Sequence, residues 1–513
     1  AGWASGLAVS WALSRRRRGA ALALLGILPA LPALPPLVLL ALAARLPGAP
    51  GPAAPSLPDV VLITADTLRA DRVDGSRGRQ ITPVVNSVAD RGVRFTDCTA
   101  HSSWTNPSTA SILSGLLPVD HGLRGYGGRI RPDVRTLATI LRSHGYETAG
   151  IIANPLVSGA AGFSRGFQHW DEDVDRSLLA RHHGSLASRL ERELVPPGPN
   201  WETMDAAEVV NRALEVLDRR GKAPLFLYLH FMDPHNPYDP PPPFAAHADP
   251  GYRGSLTFSH GTLYSILRGE IDATDRDIEH ARALYDAEAR YMDGEIGRLL
   301  IRLGSRFEQG KILVAFTADH GEEFMEHGSL GHERTLYQEL IHVPLIIARP
   351  GRLPEGLTDD EPVAHVDLLP TLLDIAGLPP EIGLPGHSLA RALPGSGRDA
   401  GDPPPSILSE EDYTGYRAVS HQIRSIREGN AKIILYSPNA FGIGPWRREI
   451  FDLSADPLER SPLSASGGKA PELPEGIESR LETWKQRSAA TDANHGRLDP
   501  EQKQKLKALG YID

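Results

Sequence analysis

From Pro58 onward, short runs of nearly unbroken apolar residues alternate with longer amphipathic ones, and that alternation leaves few folds open. DVVLIT (59 to 64), ETAGIIA (147 to 153), LFLYLHF (225 to 231), ILVAFTA (312 to 318) and VPLIIA (343 to 348) read as strands. Helical periodicity is expected near 82–91, 107–116, 134–144, 204–220, 276–303 and 366–376. Strands that alternate with helices predict an α/β fold, a layered sandwich around a mostly parallel central sheet. Several strands run straight into polar residues, and open α/β sheets place ligands at the carboxyl ends of their strands.

The 513 residues exceed what a single core usually organises. We expect a catalytic domain over 58–400 and a smaller C-terminal part over 401–513, joined by the Gly/Pro/Asp-rich stretch 394–405. In the latter, SILSEED, AKIILYS and REIFDL predict a small antiparallel sheet followed by a polar helical tail. Segments 171–200 and 239–269, rich in charge and proline, read as loops or lids.

Lys+Arg total 54 against Asp+Glu 64, but the first 57 residues hold Arg15, Arg16, Arg17, Arg18 and Arg45 and no acid. The rest of the chain is therefore strongly acidic, which speaks against a nucleic-acid partner. Between Arg18 and Arg45 the run GAALALLGILPALPALPPLVLLALAA is long enough to span a bilayer. The arginine cluster places its start on the cytoplasmic side. Residues 1–57 are thus expected to be a membrane anchor and linker, with an extracytoplasmic body; a cleaved export signal ending at Ala41-Leu42-Ala43 is the alternative. Cys98, the single cysteine, excludes an internal disulfide and any cysteine-based zinc cluster.

Four segments concentrate polar chemistry: Thr64-Ala65-Asp66-Thr67-Leu68-Arg69; Trp104-Thr105-Asn106-Pro107-Ser108-Thr109; Phe231-Met232-Asp233-Pro234-His235-Asn236-Pro237-Tyr238; and Thr317-Ala318-Asp319-His320-Gly321-Glu322-Glu323, continuing through His327 to His332 and Tyr337. Taken singly each has a bland reading, since an Asp after a strand is often a helix cap and an isolated His is more often structural than catalytic. Together they hold a metal set: the carboxylates of Asp66 and Asp319, the imidazole of His320, and a hydroxyl at a helix start.

In this order the segments resemble the sulfatase branch of the alkaline-phosphatase superfamily, and the resemblance extends through HGEEFMEHGSLGHERTLYQELIHVPLII and EIFDLSADPLE. It implies a divalent metal at the carboxyl ends of the strands. Asp66 matches the first aspartate of the family's A-D-D-L segment, and Asp319 and His320 match its later Asp-Asn or Asp-His pair. Thr105 falls where the nucleophile stands in the C/S-x-P-S-R motif. His235 matches the His of an H-x-P segment, and His332 stands where a Lys or His near the leaving group is usual. Asn154 and His327 are expected substrate contacts, with Glu322 and Glu323 supporting the site.

The departures redirect the chemistry. Family members acting on sulfate esters convert the motif's Cys or Ser to formylglycine, whereas Thr105 is not expected to be converted. Thr109 replaces the motif's Arg, Thr67 replaces the second Asp, and Ala153-Asn154-Pro155 stands near where many sulfatases carry G-K-W-H. The set that remains resembles superfamily members using a threonine nucleophile for phosphoryl transfer. The expected activity is therefore hydrolysis or transfer of a phosphate-type ester through Thr105, on a small-molecule, glycan or lipid-linked substrate. The rival readings are a sulfuric ester hydrolase working without formylglycine and a catalytically silent, membrane-tethered binding protein. One metal ion is expected, manganese or zinc favoured by the His320 nitrogen over calcium or magnesium.

Overall fold

The strands are β1 Asp59–Ala65, β2 Gly92–Thr99, β3 Glu147–Ile152, β4 His169–Asp171, β5 Leu225–Phe231, β6 Ile312–Ala318, β7 Glu323–Phe324, β8 Leu330–Gly331, β9 His342–Ala348, β10 Leu357–Asp359, β11 Val363–Ala364, β12 Ile407–Tyr413, β13 His421–Glu428, β14 Ala431–Tyr436 and β15 Arg447–Asp452. The α-helices are α1 Pro83–Ala89, α2 Thr105–Ser114, α3 Pro118–His121, α4 Leu137–Ser143, α5 Ala206–Arg219, α6 Pro242–Ala248, α7 His260–Leu267, α8 Asp275–Glu308, α9 Gln338–Ile341, α10 Leu368–Ala376 and α11 Ile477–Thr491. The computed structural model describes residues 57–75, 80–125, 128–172, 204–391, 406–413, 421–437, 447–463 and 473–491. The expected membrane segment, the linker at 394–405 and most of the expected lid at 171–200 lie outside these residues. Among the described residues, no helix is long and apolar enough to cross a membrane.

The central sheet runs β10-β2-β9-β6-β1-β5-β3-β4, with β11 also on β2. Its middle strands are parallel, and β9 is antiparallel to both β6 and β2. β1, β5 and β6 are buried along their whole length, which is why they read as continuous apolar runs. The helices form two packed groups that cover the sheet: α1, α5 and α8 in one, α2, α4 and α10 in the other.

Besides the two- and three-residue strands β4, β7, β8, β10 and β11, two longer strands escape the sequence pattern for one reason, a buried charge. β2 carries Arg94, which donates to Asn86 Oδ1 at 2.6 Å and pairs with Asp74. β13 carries Arg424 and Arg427 at positions that are 1% and 5% exposed. The loop expected over 239–269 instead contains α6 and α7, the first opening on Pro242 and the second capped by the Ser259 hydroxyl accepting from Thr262 N.

Register sets the site. Ala65 of β1 lies between Phe231 of β5 and Ala318 of β6, and Thr64 lies between His230 and Thr317. The residues that follow β1 and β6, Asp66 and Asp319, therefore leave the sheet side by side, next to the end of β5. Asp66 N donates to Phe231 O at 3.0 Å and Asp319 N to Ala65 O at 3.3 Å. The C-terminal sheet β12-β13-β14-β15 is antiparallel throughout. Its edge strand β12 runs beside residues 100–103, where Glu410 N donates to His101 O and Ser409 Oγ to Ala100 O, both at 2.8 Å.

Candidate active site

Asp66, Asp319 and His320 are all fully buried. Asn154 Nδ2 donates to Asp66 Oδ2 at 2.5 Å, while Asp319 Oδ1 accepts from His320 N at 2.8 Å and Thr67 N at 3.2 Å. Each carboxylate is thus fixed through one oxygen, and the other faces its neighbours. His320 Nδ1 lies 2.9 Å from Gly321 O. A carbonyl only accepts, so Nδ1 carries the proton and Nε2 turns a lone pair inward. That nitrogen stands 3.8 Å from Asp66 Oδ1, 3.8 Å from Asp319 Oδ2 and 3.4 Å from Thr105 Oγ1.

Thr105 is the first residue of α2, which follows extended Trp104. Its hydroxyl sits at the end of the helix where free N–H groups favour negative charge. Ser108, one turn on, fastens this helix to the metal-set turn: its Oγ donates to Asp319 O at 2.5 Å and lies 3.3 Å from His365 Nδ1. The other nitrogen of His365 is 3.2 Å from Thr317 Oγ1.

Beyond His320 three further imidazoles line up. Ring centroids are 4.6 Å apart for His320 and His332, 5.0 Å for His332 and His235, and 5.2 Å for His235 and His260. His332 Nδ1 pairs with Glu322 Oε1 at 2.9 Å, and His235 Nδ1 donates to Asn236 O at 2.5 Å. The row opens on a pocket lined by His260, Leu263, Tyr264 and Arg334, the Arg334 guanidinium lying over the Tyr264 ring at 5.3 Å.

Electrostatics follows from burial. Burial, and next the charge of Asp319, pushes the Asp66 carboxyl well above its ordinary value despite the Asn154 hydrogen bond. Burial acts on Asp319 too, but the His320 and His230 imidazoles outweigh it and hold that group low. Burial lifts Glu322 to about 7 and pushes His235 and His332 well below the usual histidine value.

The family model described as Sulfatase matches residues 58–378, and that of the N-sulphoglucosamine sulphohydrolase C-terminal region matches 325–487. The chain belongs to the sulfatase family. It is a hydrolase of that family, within the alkaline-phosphatase superfamily. Arylsulfatase K of Rattus norvegicus is 28% identical over 467 residues, covering 82% of this chain and 77% of that protein. Arylsulfatase K of Homo sapiens is 28% identical over 468 residues, covering 82% and 81%. Two solved structures share the fold: a protein in complex with its substrate D-glucosamine-2-N,6-O-disulfate (TM-score 0.65, 21% identity, 86% of this chain and 100% of that one), and the phosphonate monoester hydrolase of Agrobacterium radiobacter (0.62, 20%, 85% and 96%).

The divalent cation that the family implies fits these residues. Asp66 Oδ1 and Asp319 Oδ2 are buried without a hydrogen-bond partner, and such oxygens are costly unless something charged meets them. Of the sequence-derived set, Asp66, Thr105, Asp319, His320, His235 and His332 come together. Asn154 enters through Asp66, as a positioning contact. The structure corrects His327: its ring lies 2.5 Å from Glu339 Oε1 and 2.9 Å from Glu459 O and stacks on Tyr337 at 3.7 Å, so it serves the junction with the C-terminal sheet. Sequence reasoning missed His260, His365 and His230. The last is the one imidazole in the apolar run LFLYLHF, one residue before the carboxyl end of its strand, and that placement was the available signal.

Proposed function

We propose that this sulfatase-family enzyme transfers a phosphate-type ester group through Thr105, with a manganese or zinc ion held by Asp66, Asp319 and His320. The observation that carries the reading is the Thr105 hydroxyl at the start of α2, 3.4 Å from His320 Nε2. An unmodified threonine has no aldehyde hydrate through which to expel sulfate, but a phosphorylated threonine is open to attack at phosphorus by water or an acceptor alcohol. A cation held by Asp66, Asp319 and His320 would supply positive charge for the ester's nonbridging oxygen and would lower the pKa of the nucleophile.

The chain's own groups account for the rest. Thr105 gives up its proton to solvent water, and Oγ1 bonds to phosphorus as the bond to the leaving oxygen breaks. The N–H groups at the start of α2 face the charge that develops. His332, oriented by Glu322, and His235 line the leaving side. An anionic ester between them favours their protonated forms, so one can donate to the departing alkoxide. Asn154 holds Asp66 in place throughout. The arginine cluster at Arg15–Arg18 and the uncharged run after it support a membrane-anchored, extracytoplasmic setting.

A sulfuric ester is the second reading, favoured by the name of the arylsulfatase K relatives and by the disulfated sugar bound to the structural neighbour. Assays of the manganese- and zinc-loaded protein on aryl phosphate, phosphodiester and aryl sulfate, beside Thr105→Ala, separate the two. Turnover of phosphorus esters is expected, falling by a factor on the order of 1,000 or more in Thr105→Ala, with a trapped adduct on Thr105 of phosphoryl mass. Turnover of the sulfate ester alone sinks the phosphoryl reading, and no turnover of any ester favours the silent binding protein.

A further inference from the structure

His230 lies on β5, fully buried, and neither of its ring nitrogens has a hydrogen-bond partner. That is an unfavourable way to bury an imidazole, because a polar group taken from water without a partner keeps its full desolvation cost. Nothing in the packing of the strand calls for it, since the other residues of Leu225–Phe231 are apolar or aromatic. Its position explains the cost. His230 Nε2 is 3.7 Å from Asp319 Oδ2, and one donor atom each of Asp66, His230 and Asp319 lie within 4.8 Å of one another.

A separation of 3.7 Å is too long for a hydrogen bond. It is the right separation for two donors that share a cation, because ligands about 2.0–2.2 Å from one ion lie roughly 3–4 Å apart around it. The same spacing recurs at 3.8 Å between His320 Nε2 and Asp66 Oδ1 and at 3.8 Å between His320 Nε2 and Asp319 Oδ2. Asp66, His230 and Asp319 thus form one cluster at ligand spacing, His320 stands 3.8 Å from both carboxylates, and Asp66 Oδ1, Asp319 Oδ2 and His230 Nε2 are buried without a hydrogen-bond partner.

We propose that His230 is a fourth protein ligand of the active-site cation, completing a sphere of two carboxylates and two imidazoles with the Thr105 hydroxyl at its edge. The proposal rests on the metal reading given above and goes beyond it. A second nitrogen takes over where the family's second aspartate is replaced by Thr67, and it selects manganese, cobalt or zinc against calcium and magnesium, which favour oxygen donors.

The test uses the full-length protein titrated with Mn²⁺ or Zn²⁺ alone. Pulsed electron paramagnetic resonance of the Mn²⁺ form counts coordinated imidazole nitrogens: two are expected in the wild type and one in His230→Asn. Calorimetric titration should show Zn²⁺ affinity falling roughly 10- to 100-fold or more in that variant. His230→Leu provides a second readout. The ring's apolar volume is kept while Asp319 loses its imidazole neighbour at 3.7 Å, so the rise in Tm on adding Zn²⁺ should shrink or vanish, whereas a purely packing role would leave that rise intact. One coordinated nitrogen in the wild type, or unchanged Zn²⁺ affinity in His230→Asn, overturns the assignment and leaves the Thr105 reading standing. Absence of Mn²⁺ and Zn²⁺ binding in the wild type overturns both.

Discussion

Thr67 adopts φ 58, a left-handed conformation that a β-branched residue takes only under constraint. The constraint is visible on both sides of its peptide groups. Thr67 N donates to Asp319 Oδ1 at 3.2 Å, and Thr67 O accepts from Tyr285 OH at 2.7 Å. Its own Oγ1 is buried without a hydrogen-bond partner. The turn after Asp66 is therefore shaped for a residue other than the one it holds. Aspartate tolerates the left-handed region better than threonine and is what the family pattern carries there. Thr67→Asp is expected to raise affinity for Ca²⁺ and Mg²⁺ by adding an oxygen donor. The same change should lower the stability of the metal-free protein, because a third buried carboxylate joins Asp66 and Asp319. Calcium titration by calorimetry and melting in chelator check the two halves; calcium affinity equal to that of the wild type would remove Thr67 from any role in metal choice.

At the scale of elements, the hairpin β7–β8 couples the site to the C-terminal sheet. Glu323 opens β7, and its Oε1 accepts from His327 N and Ser329 N, both at 2.9 Å. Burial, and next the neighbouring Glu339, raises Glu323 to about 7. The folded state thus keeps a proton that the unfolded chain loses near the ordinary glutamate value, and stability falls as pH rises from about 4.5 through about 7. The loss amounts to at most about 3 kcal/mol. Glutamine preserves the acceptor oxygen and removes the titration. Glu323→Gln should therefore show a shallower decline in denaturant-measured stability between pH 5 and pH 8 than the wild type, and parallel curves would contradict this account. These elements also show what the sequence could reveal. β1, β5 and β6 were legible because burial on both faces leaves an apolar run, and Asp66, Asp319 and His320 were legible because they follow such runs directly. His230 was hidden inside one of those runs. β2 and β13 were hidden by arginines whose charges are met by residues distant in sequence, Asp74 for Arg94 and Asp97 for Arg427. His327 was misread because one-dimensional nearness to the metal set says nothing of the turn that carries its ring to Glu339 and Tyr337.

Across the whole molecule, the acid-rich chain is joined to its C-terminal sheet both by a shared apolar cluster, in which Leu117, Val119 and Val366 pack with Ile426, Ile433 and Ile450, and by buried polar contacts such as the ion pair of Arg124 with Asp412. β12 lies on residues 100–103, just before Thr105, and Glu411 accepts from the Ser102 hydroxyl at 2.8 Å. On the other side of the site, Lys432 of β14, 1% exposed, pairs with Glu459 at 2.7 Å and donates to Leu336 O at 2.7 Å. Glu459 in turn accepts from Gln338 N at 2.7 Å, and its carbonyl holds His327. The segment from His332 to Gln338 is thus clamped to the small sheet while its first residue stands beside His320, with ring centroids 4.6 Å apart. Burying such a pair brings little net stability, but removing one partner strands a charge in a low-dielectric interior. Lys432→Met should cost about 3–5 kcal/mol, whereas Lys432→Met combined with Glu459→Gln should cost distinctly less, since no ion is then left unpaired. Because the clamp holds His332 against the reacting centre, the double variant should also keep its fold yet lose kcat more than KM. Equal destabilisation by the single and double variants would mean that the pair acts through packing alone, and an unchanged kcat in the folded double variant would detach the C-terminal sheet from catalysis.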